Sequence, residues 1–506
     1  MRRCLELNLL SRLLKYTLGI CAISYIFVYL LVALNHISYP YELEWMEGNS
    51  VDHVLRLLSG KPLYVEPSLE FIPSIYTPLY FYFSALSSML FGIGFLPLRL
   101  VSFLASIGCF ALLFEFVRRE TKSMFFGLLS AGLFAATYKV SGLWFDIARV
   151  DSLFLLLLLS SIFLLRFFDD AKSLFFSGLL ISLCFLTKQT GLVIAVAMSF
   201  YCIICLPKWF KLIYPATVFL IIGISTFVLN WVSNGWYYYY VFKLPKEMYI
   251  FKLRLVNFWF NDINNLPAAF VISLVYIIFL LFKERRKKFF FYSFFFASMI
   301  IASWLPRLRA GGYDNVLIPA FAVMSIFFGL GAHLLTLSSM TSSSKNKETT
   351  WLKAGIWLEY FVLLVCINQF TLLYYNPLAQ LPSEKDLNAG HAFIQMMKNI
   401  EGEIFIPFHG FLSYMAGKKT YAHAMAIGEV LGSQDKEIKE GLWKQIVDAI
   451  HSKKFEAIIL DSNWWDLEKE IKQDYTLKRR VFNNKDVFWP LTGLRIRPEG
   501  FYELRK

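Results

Sequence analysis

The sequence predicts an α-helical polytopic membrane protein that ends in a smaller C-terminal α/β region. Of its 506 residues, 57% are apolar, 17% are charged and 51 are phenylalanine. Soluble domains are richer in charge, with roughly a quarter of their residues charged. Long apolar runs recur through the first three quarters of the chain, whereas the residues after Asn376 are polar. A helical membrane part followed by a polar region accounts for all three observations.

The net charge of +13 is explained by basic residues that orient the chain in the membrane. Lysine and arginine gather at the ends of apolar runs, as in RRETK at 118–122 and KERRKK at 283–288. This distribution is typical of the positive-inside bias and of contact with anionic lipid headgroups. It predicts membrane lipids as partners. Binding to nucleic acid is not needed to explain the positive charge.

Eleven apolar runs are candidate spans, because a membrane-crossing helix needs roughly 20 such residues. They are 13–36, 97–117, 124–142, 152–167, 173–187, 190–206, 212–231, 266–282, 289–305, 316–336 and 353–374. The run at 78–93 is also apolar, but a span there would place basic segments on both sides of the membrane. If it lies along or dips into the outer face, the basic segments fall on the cytoplasmic side. We therefore expect a protein of the cell (inner) membrane, with a cytoplasmic N-terminus and an extracytoplasmic C-terminal domain.

The first outer loop, residues 38–76, is acidic. Its stretch YELEWMEGNSVD contains three glutamates and one aspartate. Apolar residues at helical spacing predict an amphipathic helix on the membrane surface from Glu44 to Leu58, ended by Gly60. Glu44 and Glu47 would share one face of this helix, where either could act as a general base, Glu47 being the first choice. The alternative is that both are solvated acids favoured by the helix dipole.

A second polar segment, WFDIARVD at 144–151, joins two apolar runs. Asp146 and Asp151 are candidates for a catalytic or metal-assisting acid, and Arg149 is a candidate for phosphate binding. The alternative is structural, with Asp151 as the N-cap of the following helix and Arg149 as an interfacial arginine.

Two further segments add cations and polar side chains to the predicted outer face. Lys188, in LTKQTG, either snorkels to the interface or meets a lipid phosphate at headgroup depth. Arg307 and Arg309, in LPRLRAGGYDN, are candidates for the same phosphate. Asp314 and Asn315 either cap the next span or contact a sugar. No single one of these residues identifies a function, but their shared position on the outer face of the membrane predicts a site.

Residues 377–506 are predicted to form a soluble α/β domain that follows a transmembrane module of residues 1–376. Buried strands are expected at 402–408 and 455–461, and amphipathic helices at 384–400 and 434–453. The spacing of the histidines in this region matches no metal motif, so we interpret them as ordinary surface or packing residues. They are His391, His409, His423 and His451.

Several short motifs resemble the GT-C glycosyltransferases. The similarity is to the bacterial branch that includes relatives of protein O-mannosyltransferases, aminoarabinose transferases and Rgt-type lipopolysaccharide sugar transferases. The motifs match this family in order and spacing over about residues 40–320. They are EWMEG, LLSGKPLY, YTPLYFY, FDIARVD, FLTKQTG and GGYDNVLIPA.

The resemblance implies an inverting transferase that takes a sugar from a polyprenyl-phosphate carrier. It implies a catalytic acid in the first outer loop, which maps to Glu47 or Glu44, and a second acid, which maps to Asp146 or Asp151. It also implies a non-spanning helix near residues 78–93. The chain departs from the family at Met46, because many relatives have an Asp-Glu pair there.

The expected function is therefore sugar transfer from a polyprenyl-phosphate donor to a hydroxyl of a glycan, lipid or protein acceptor. A transporter or flippase for a lipid-linked saccharide is the alternative, and a structural subunit of an envelope assembly is a third hypothesis. No tightly held metal is predicted, and a loosely bound divalent cation beside the carrier phosphate is left open.

Overall fold

A computed structural model describes residues 2–283, 286–341, 350–461 and 465–505. The first 376 residues are almost entirely helical. The longer helices are α1 Arg2–Ser38, α2 Glu47–Leu58, α3 Leu79–Phe91, α4 Phe95–Thr121, α5 Met124–Ala136, α6 Asp151–Phe167, α7 Ala171–Thr187, α8 Gly191–Cys205 and α9 Phe210–Val232. Three short helices follow: α10 Trp236–Tyr238, α11 Leu244–Glu247 and α12 Arg254–Asn257. The last four long helices of this part are α13 Pro267–Phe282, α14 Arg286–Arg307, α15 Ile318–Thr341 and α16 Thr350–Leu372.

The chain is a multi-pass membrane protein. Within the described ranges, six helices are long and apolar enough to cross a membrane, or seven if the bent pair Arg254–Asn265 and Pro267–Phe282 is one span. A helix lies in each of the eleven predicted runs, but several are short, so the number eleven stays a prediction. Helix α3 has 13 residues and extends about 20 Å, less than the roughly 30 Å of a bilayer core. Helix α5, in a predicted span, also has 13 residues, so length alone does not distinguish the two helices and the non-spanning position of the run at 78–93 stays a prediction.

Helix α15 forms the centre of the helical bundle. Its apolar window is 94% buried, whereas that of α9 is 17% buried. The buried face of α15 packs with α4, α5, α13, α14 and α16. Either other helices or lipid can cover a helix that is apolar all round. Helices of the bundle cover α15, whereas α9 lies at the outside of the bundle.

Helix α2 starts at Glu47, three residues later than expected, and ends at Leu58. Gly60 follows with a positive φ of 70°, as expected for the residue that ends the helix. The first eight residues of α2 are all buried. Protein therefore covers its N-terminal half, in contrast to the predicted position on the membrane surface.

Among its described residues, the region after residue 376 contains a small mixed sheet and five α-helices. The helices are α17 Glu384–Lys398, α18 Gly410–Met415, α19 Ala424–Leu431, α20 Lys436–His451 and α21 Trp465–Asp474. The strands are β1 Ile404–Phe405, β2 Ala457–Leu460, β3 Tyr475–Arg480 and β4 Gly500–Leu504, in the order β1-β2-β4-β3. Only β1 and β2 are parallel. The two predicted strands and two predicted helices are present with shorter bounds, and the division into two domains stays a prediction.

Helix α5 crosses α1 at close range through Gly132. A Cβ added there would lie 2.4 Å from the Cβ and 2.5 Å from the Cα of Ala22. We expect Gly132→Val to destabilise the purified protein by about 1–3 kcal/mol, because the backbone must move to admit the side chain. Thermal unfolding in detergent measures the change. Gly223→Val on α9 is the matched control, since nothing lies within 4 Å of a Cβ there; equal midpoints would contradict this account.

Candidate active site

Glu47 is a fully bonded, buried carboxylate. Arg99 of α4 donates to both of its oxygens, from Nε at 2.9 Å and from Nη2 at 2.6 Å. The backbone N–H groups of Leu43 and Ala148 also donate to it, each at 2.7 Å. Burial by itself would raise the pKa of Glu47, but the Arg99 charge and these four hydrogen bonds lower it. Glu47 is therefore held ionised, with its lone pairs already in use.

Arg99 connects Glu47 to the end of the first helix. Its Nη1 donates to the carbonyl oxygens of His36 (2.9 Å) and Tyr39 (2.6 Å), and its Nη2 also donates to that of Tyr41 (2.6 Å). The guanidinium is fully buried. A buried arginine with all its donors satisfied holds the groups around it in place. The Glu47–Arg99 pair therefore determines the conformation of the first loop.

Glu44 has a different environment although it is also buried. Its Oε2 lies 3.6 Å from Nη1 of Arg149 and accepts no hydrogen bond from the described part of the chain. Burial raises the pKa of Glu44 to about 8, against the lowering effect of Arg149 and with a further rise from Glu47. Within the predicted pair, the geometry favours Glu44 as the group that can accept a proton near neutral pH.

Arg149 directs its guanidinium between Glu44 and aromatic rings. It donates to the hydroxyl of Tyr76 at 3.3 Å and lies 5.6 Å and 5.8 Å from the ring centroids of Tyr76 and Trp144. The neighbouring carboxylate and the rings orient a cation that remains available to an anion from the other side.

Three predicted site residues meet at Asp151. Its Oδ1 accepts from Nζ of Lys188 at 2.6 Å and from Nδ2 of Asn315 at 3.1 Å. Asp151 is the first residue of α6, and the side chain of the N-cap residue, Val150, makes no capping bond. The structure therefore places Asp151 as the group that positions Lys188 and Asn315.

Asp146 is fully buried in a separate polar network. Its carboxylate lies 2.7 Å from Nδ1 of His36 and accepts from the Tyr138 hydroxyl at 2.7 Å, and Nε2 of His36 donates to the carbonyl of Gln380 at 2.6 Å. These contacts join the end of α1 to the loop before α6 and to the start of the C-terminal region.

The last two predicted cations have different environments. Arg307 makes a bidentate pair with Asp262, at 2.8 and 2.9 Å, and lies 3.1 Å from Asp314. Arg307 and Asp314 are thus engaged with each other and with Asp262. Arg309 donates to the carbonyl of Pro245 and lines a large cavity.

This first cavity, of about 610 Å³, brings together most of the predicted phosphate-binding groups. At its polar end lie Arg149, Lys188, Arg309 and Asn315. Asn49, Ser74, Tyr76 and Gln189 add neutral hydrogen-bonding groups to the same end. Counting Lys246, the described residues that line this cavity include four cations against one acid, Glu429, and this excess of positive charge suits a phosphate.

The other end of the first cavity is apolar and reaches the surface of the bundle. Leu192 and Val196 of α8 and Leu305 of α14 line it, and all three remain at least 36% exposed. The opening lies between two helices whose outer faces are apolar. A chain-like hydrocarbon can enter by this side while its charged end reaches the cations.

Two residues of the site were missed by the sequence analysis. Arg99 lies within the predicted run 97–117, and an ionisable residue in such a run is a signal of function that could have identified it. Glu429 of α19 lines the first cavity from the C-terminal region; burial raises its pKa to about 8 against the charge of Arg149. No local pattern marks Glu429, because only the tertiary fold brings α19 over the cavity.

His409 links the first loop to the C-terminal region, although its sequence context predicted only an ordinary surface or packing residue. It is buried, with Nδ1 bonded to Glu42 and Nε2 bonded to Asp461. Burial would lower the pKa of His409, but Asp461 and Glu42 raise it to about 10. Asp52 lies nearby with both carboxylate oxygens unbonded among the described residues. Across the described ranges, no group of three or more His, Cys, Asp or Glu is arranged to hold a metal ion.

We expect Arg99→Met to destabilise the protein by about 3–5 kcal/mol, because Glu47 would be left as an unpaired buried charge. Replacing both partners, in Arg99→Met/Glu47→Met, should recover part of the loss, since no charge then remains buried. Chemical unfolding in detergent compares these variants. The control is Arg118→Met on the same helix, whose partly exposed pair with Glu115 is screened by water, so this variant should unfold at nearly the same denaturant concentration as the unmodified protein. A double variant no more stable than Arg99→Met would contradict this role.

Comparisons with known proteins agree with the motifs. Residues 75–232 match the family model described as dolichyl-phosphate-mannose-protein mannosyltransferase. A comparison with curated sequences finds no match.

Solved structures of GT-C glycosyltransferases share the fold. ArnT from Cupriavidus metallidurans bound to undecaprenyl phosphate is 10% identical, with a TM-score of 0.58 over 95% of this chain and 97% of that one. Its apo form gives a TM-score of 0.56 at 11% identity and the same coverage. The Archaeoglobus fulgidus oligosaccharyltransferase in complex with Zn and sulfate gives 0.50 at 11% identity, over 90% of this chain and 70% of that one. The resemblance to GT-C glycosyltransferases that the sequence motifs indicated is therefore confirmed.

Proposed function

We propose that the chain is an inverting glycosyltransferase that moves a sugar from a polyprenyl-phosphate carrier to an acceptor hydroxyl on the outer face of the membrane. The first cavity carries this proposal. Its cationic end and its apolar end, which opens between α8 and α14, fit the two chemically different parts of one lipid phosphate. The match of residues 75–232 to a lipid-phosphate-dependent family supports the same assignment.

Arg149, Lys188 and Arg309 are proposed to bind the carrier phosphate. Asp151 positions Lys188, and the ring of Tyr76 positions Arg149. Fixed cations stabilise the negative charge that develops on the phosphate oxygen as the bond to the sugar breaks. Arg307 is engaged with Asp262 and Asp314 and is not among the described residues that line the first cavity, so it is left out of this proposed phosphate site.

Glu44 is proposed as the general base. It takes the proton of the acceptor hydroxyl while that oxygen forms a bond to the anomeric carbon. The bond from this carbon to the phosphate oxygen breaks, and the polyprenyl phosphate leaves with the electron pair. Attack from the side opposite the phosphate inverts the anomeric configuration. Glu47 would keep Glu44 in place through Arg99 and the first loop.

The proposal requires the first loop and the C-terminal region on the same, extracytoplasmic side. Their direct contacts, such as Glu42 with His409, support a shared side. Labelling of single cysteines introduced at exposed positions in intact cells tests the orientation. A label that reaches Glu66→Cys but not Lys122→Cys agrees with a cytoplasmic N-terminus, and the reverse pattern overturns it.

Replacing the proposed base should abolish transfer. We expect Glu44→Gln to lower the rate about 10²- to 10⁴-fold, which is the usual contribution of a positioned general base. Purified protein is incubated with radiolabelled polyprenyl-phosphate sugars and a membrane extract, and label in the acceptor fraction is counted. Glu66→Gln is the control, because Glu66 lies exposed in the same loop and its loss should leave the rate unchanged.

Other outcomes of this assay are equally informative. Full activity of Glu44→Gln together with loss in a well-folded Glu47→Gln variant would return the base to Glu47. Movement of the intact lipid-linked sugar across vesicles, with no glycosidic bond formed, would replace the transferase by a flippase.

The reaction should speed up with pH. The base must be deprotonated to accept a proton, and the pKa of Glu44 is raised to about 8. We therefore expect kcat/KM to rise about tenfold per pH unit between pH 6 and 8 and to level off above pH 8. Initial rates in a series of buffers measure this profile, and Glu66→Gln should reproduce it. A flat profile from pH 6 to 9 would contradict the role of Glu44.

A further inference from the structure

A second cavity, of about 480 Å³, adjoins the first. It lies between the first loop, the segment 244–249 and α19 of the C-terminal region. Five residues line both cavities and form the neck between them: Met248, Ala310, Gly311, Met425 and Glu429. The consecutive residues Trp45 and Met46 line the second and the first cavity, respectively, so this part of the first loop, directly after Glu44, lies beside both cavities.

The two cavities differ in charge. The first contains Arg149, Lys188, Lys246 and Arg309, and it shares Glu429 with the second. The second contains Glu247 and Glu429, and none of the described residues that line it is a lysine, arginine or histidine. A wall with acidic side chains and no cation gives a phosphate no charge partner, whereas its carboxyl oxygens accept hydrogen bonds from hydroxyl or ammonium groups.

Aromatic side chains form part of the second wall. Trp45, Phe408 and Tyr249 line the cavity. The Trp45 ring packs against His423, with centroids 5.2 Å apart, and His423 accepts a hydrogen bond from the backbone of Met425 at the start of α19. The contact fixes the indole in place. A rigid ring offers an apolar face to the C–H side of a sugar, while nearby carboxylates bind its hydroxyls.

Gly428 leaves space for a ligand. It lies inside α19, where glycine costs about 1 kcal/mol relative to alanine, and its backbone is not left-handed. No atom lies within 4 Å of a Cβ added to it, so packing within the protein does not require glycine there. Gly428 is exposed and lines the second cavity, so a larger side chain there would extend into the cavity.

We propose that the second cavity binds the acceptor, and that the bound group is a neutral or amino-substituted saccharide that carries no phosphate. This inference rests on the proposed function and names the acceptor class that the sequence left open. The acceptor ring lies against Trp45, Glu247 and Glu429 bind its polar groups, and one hydroxyl reaches the donor through the neck at Gly311.

Binding to a glycan array tests this inference without the need for turnover. The full-length protein in detergent is applied to neutral, amino-substituted and phosphorylated glycans, with hydroxyl-bearing peptides on the same slide. We expect retention on neutral or amino-substituted glycans. Gly428→Leu should reduce it at least tenfold by filling the cavity, and Glu429→Gln should reduce it as well.

Gly441→Leu is the matched control. Gly441 is an exposed helical glycine of α20 with nothing within 4 Å of an added Cβ, and it does not line the second cavity. This variant should bind glycans as the unmodified protein does. Both leucine variants should also keep the affinity for undecaprenyl phosphate.

Three results would overturn the acceptor site: no glycan retained, retention only of phosphorylated glycans or of peptides, or equal binding by Gly428→Leu and the unmodified protein. The transfer assay with the unmodified protein tests the proposed transferase function independently of the acceptor site. Transfer that proceeds equally well in Gly428→Leu, at the same acceptor concentrations, would reject this site and leave the transferase intact.

Discussion

The buried pair of Glu47 and Arg99 is the constraint on which the rest of the site depends. Both groups are removed from water, and this costs free energy unless every donor and acceptor is satisfied. The fold satisfies them with backbone groups from the end of α1, the first loop and the loop before α6. These segments are far apart in sequence, yet one ion pair holds them in a single arrangement. The position of Glu44 follows from that arrangement.

Two glutamates three residues apart therefore have opposite properties. Glu47 has a guanidinium and two backbone donors within hydrogen-bond distance, and its pKa falls. Glu44 has an arginine 3.6 Å away and a free oxygen, and its pKa rises to about 8. One carboxylate is thus suited to hold structure and the other to exchange a proton. The two cavities likewise differ in the charged residues that line them.

The C-terminal region completes the site. Its backbone at Leu491 and Thr492 donates to the carbonyl of Leu43, and Gly493 packs directly on the side chain of Glu44, where a Cβ would lie 2.8 Å from Oε1. Gly493 also has a φ of 79°, a conformation that other residues rarely adopt. His409 joins the same region to Glu42, and Glu429 lines both cavities. Burial of Glu44, which raises its pKa, thus depends on residues more than 400 positions later in the chain.

The sequence by itself determined the class of the protein, the helix in each apolar run, the strands near 404 and 457, and the grouping of Arg149, Asp151, Lys188 and Asn315. Apolar length, charge distribution and short motifs are local properties, and they carry this information directly. Only the tertiary structure decided which carboxylate is free and which is bonded, because that depends on Arg99 and Arg149 from other segments. It also separated Asp146 and Arg307 from the first cavity and brought Glu429 to it. Hydrogen bonding and burial arise between distant segments, so no local pattern could have revealed them.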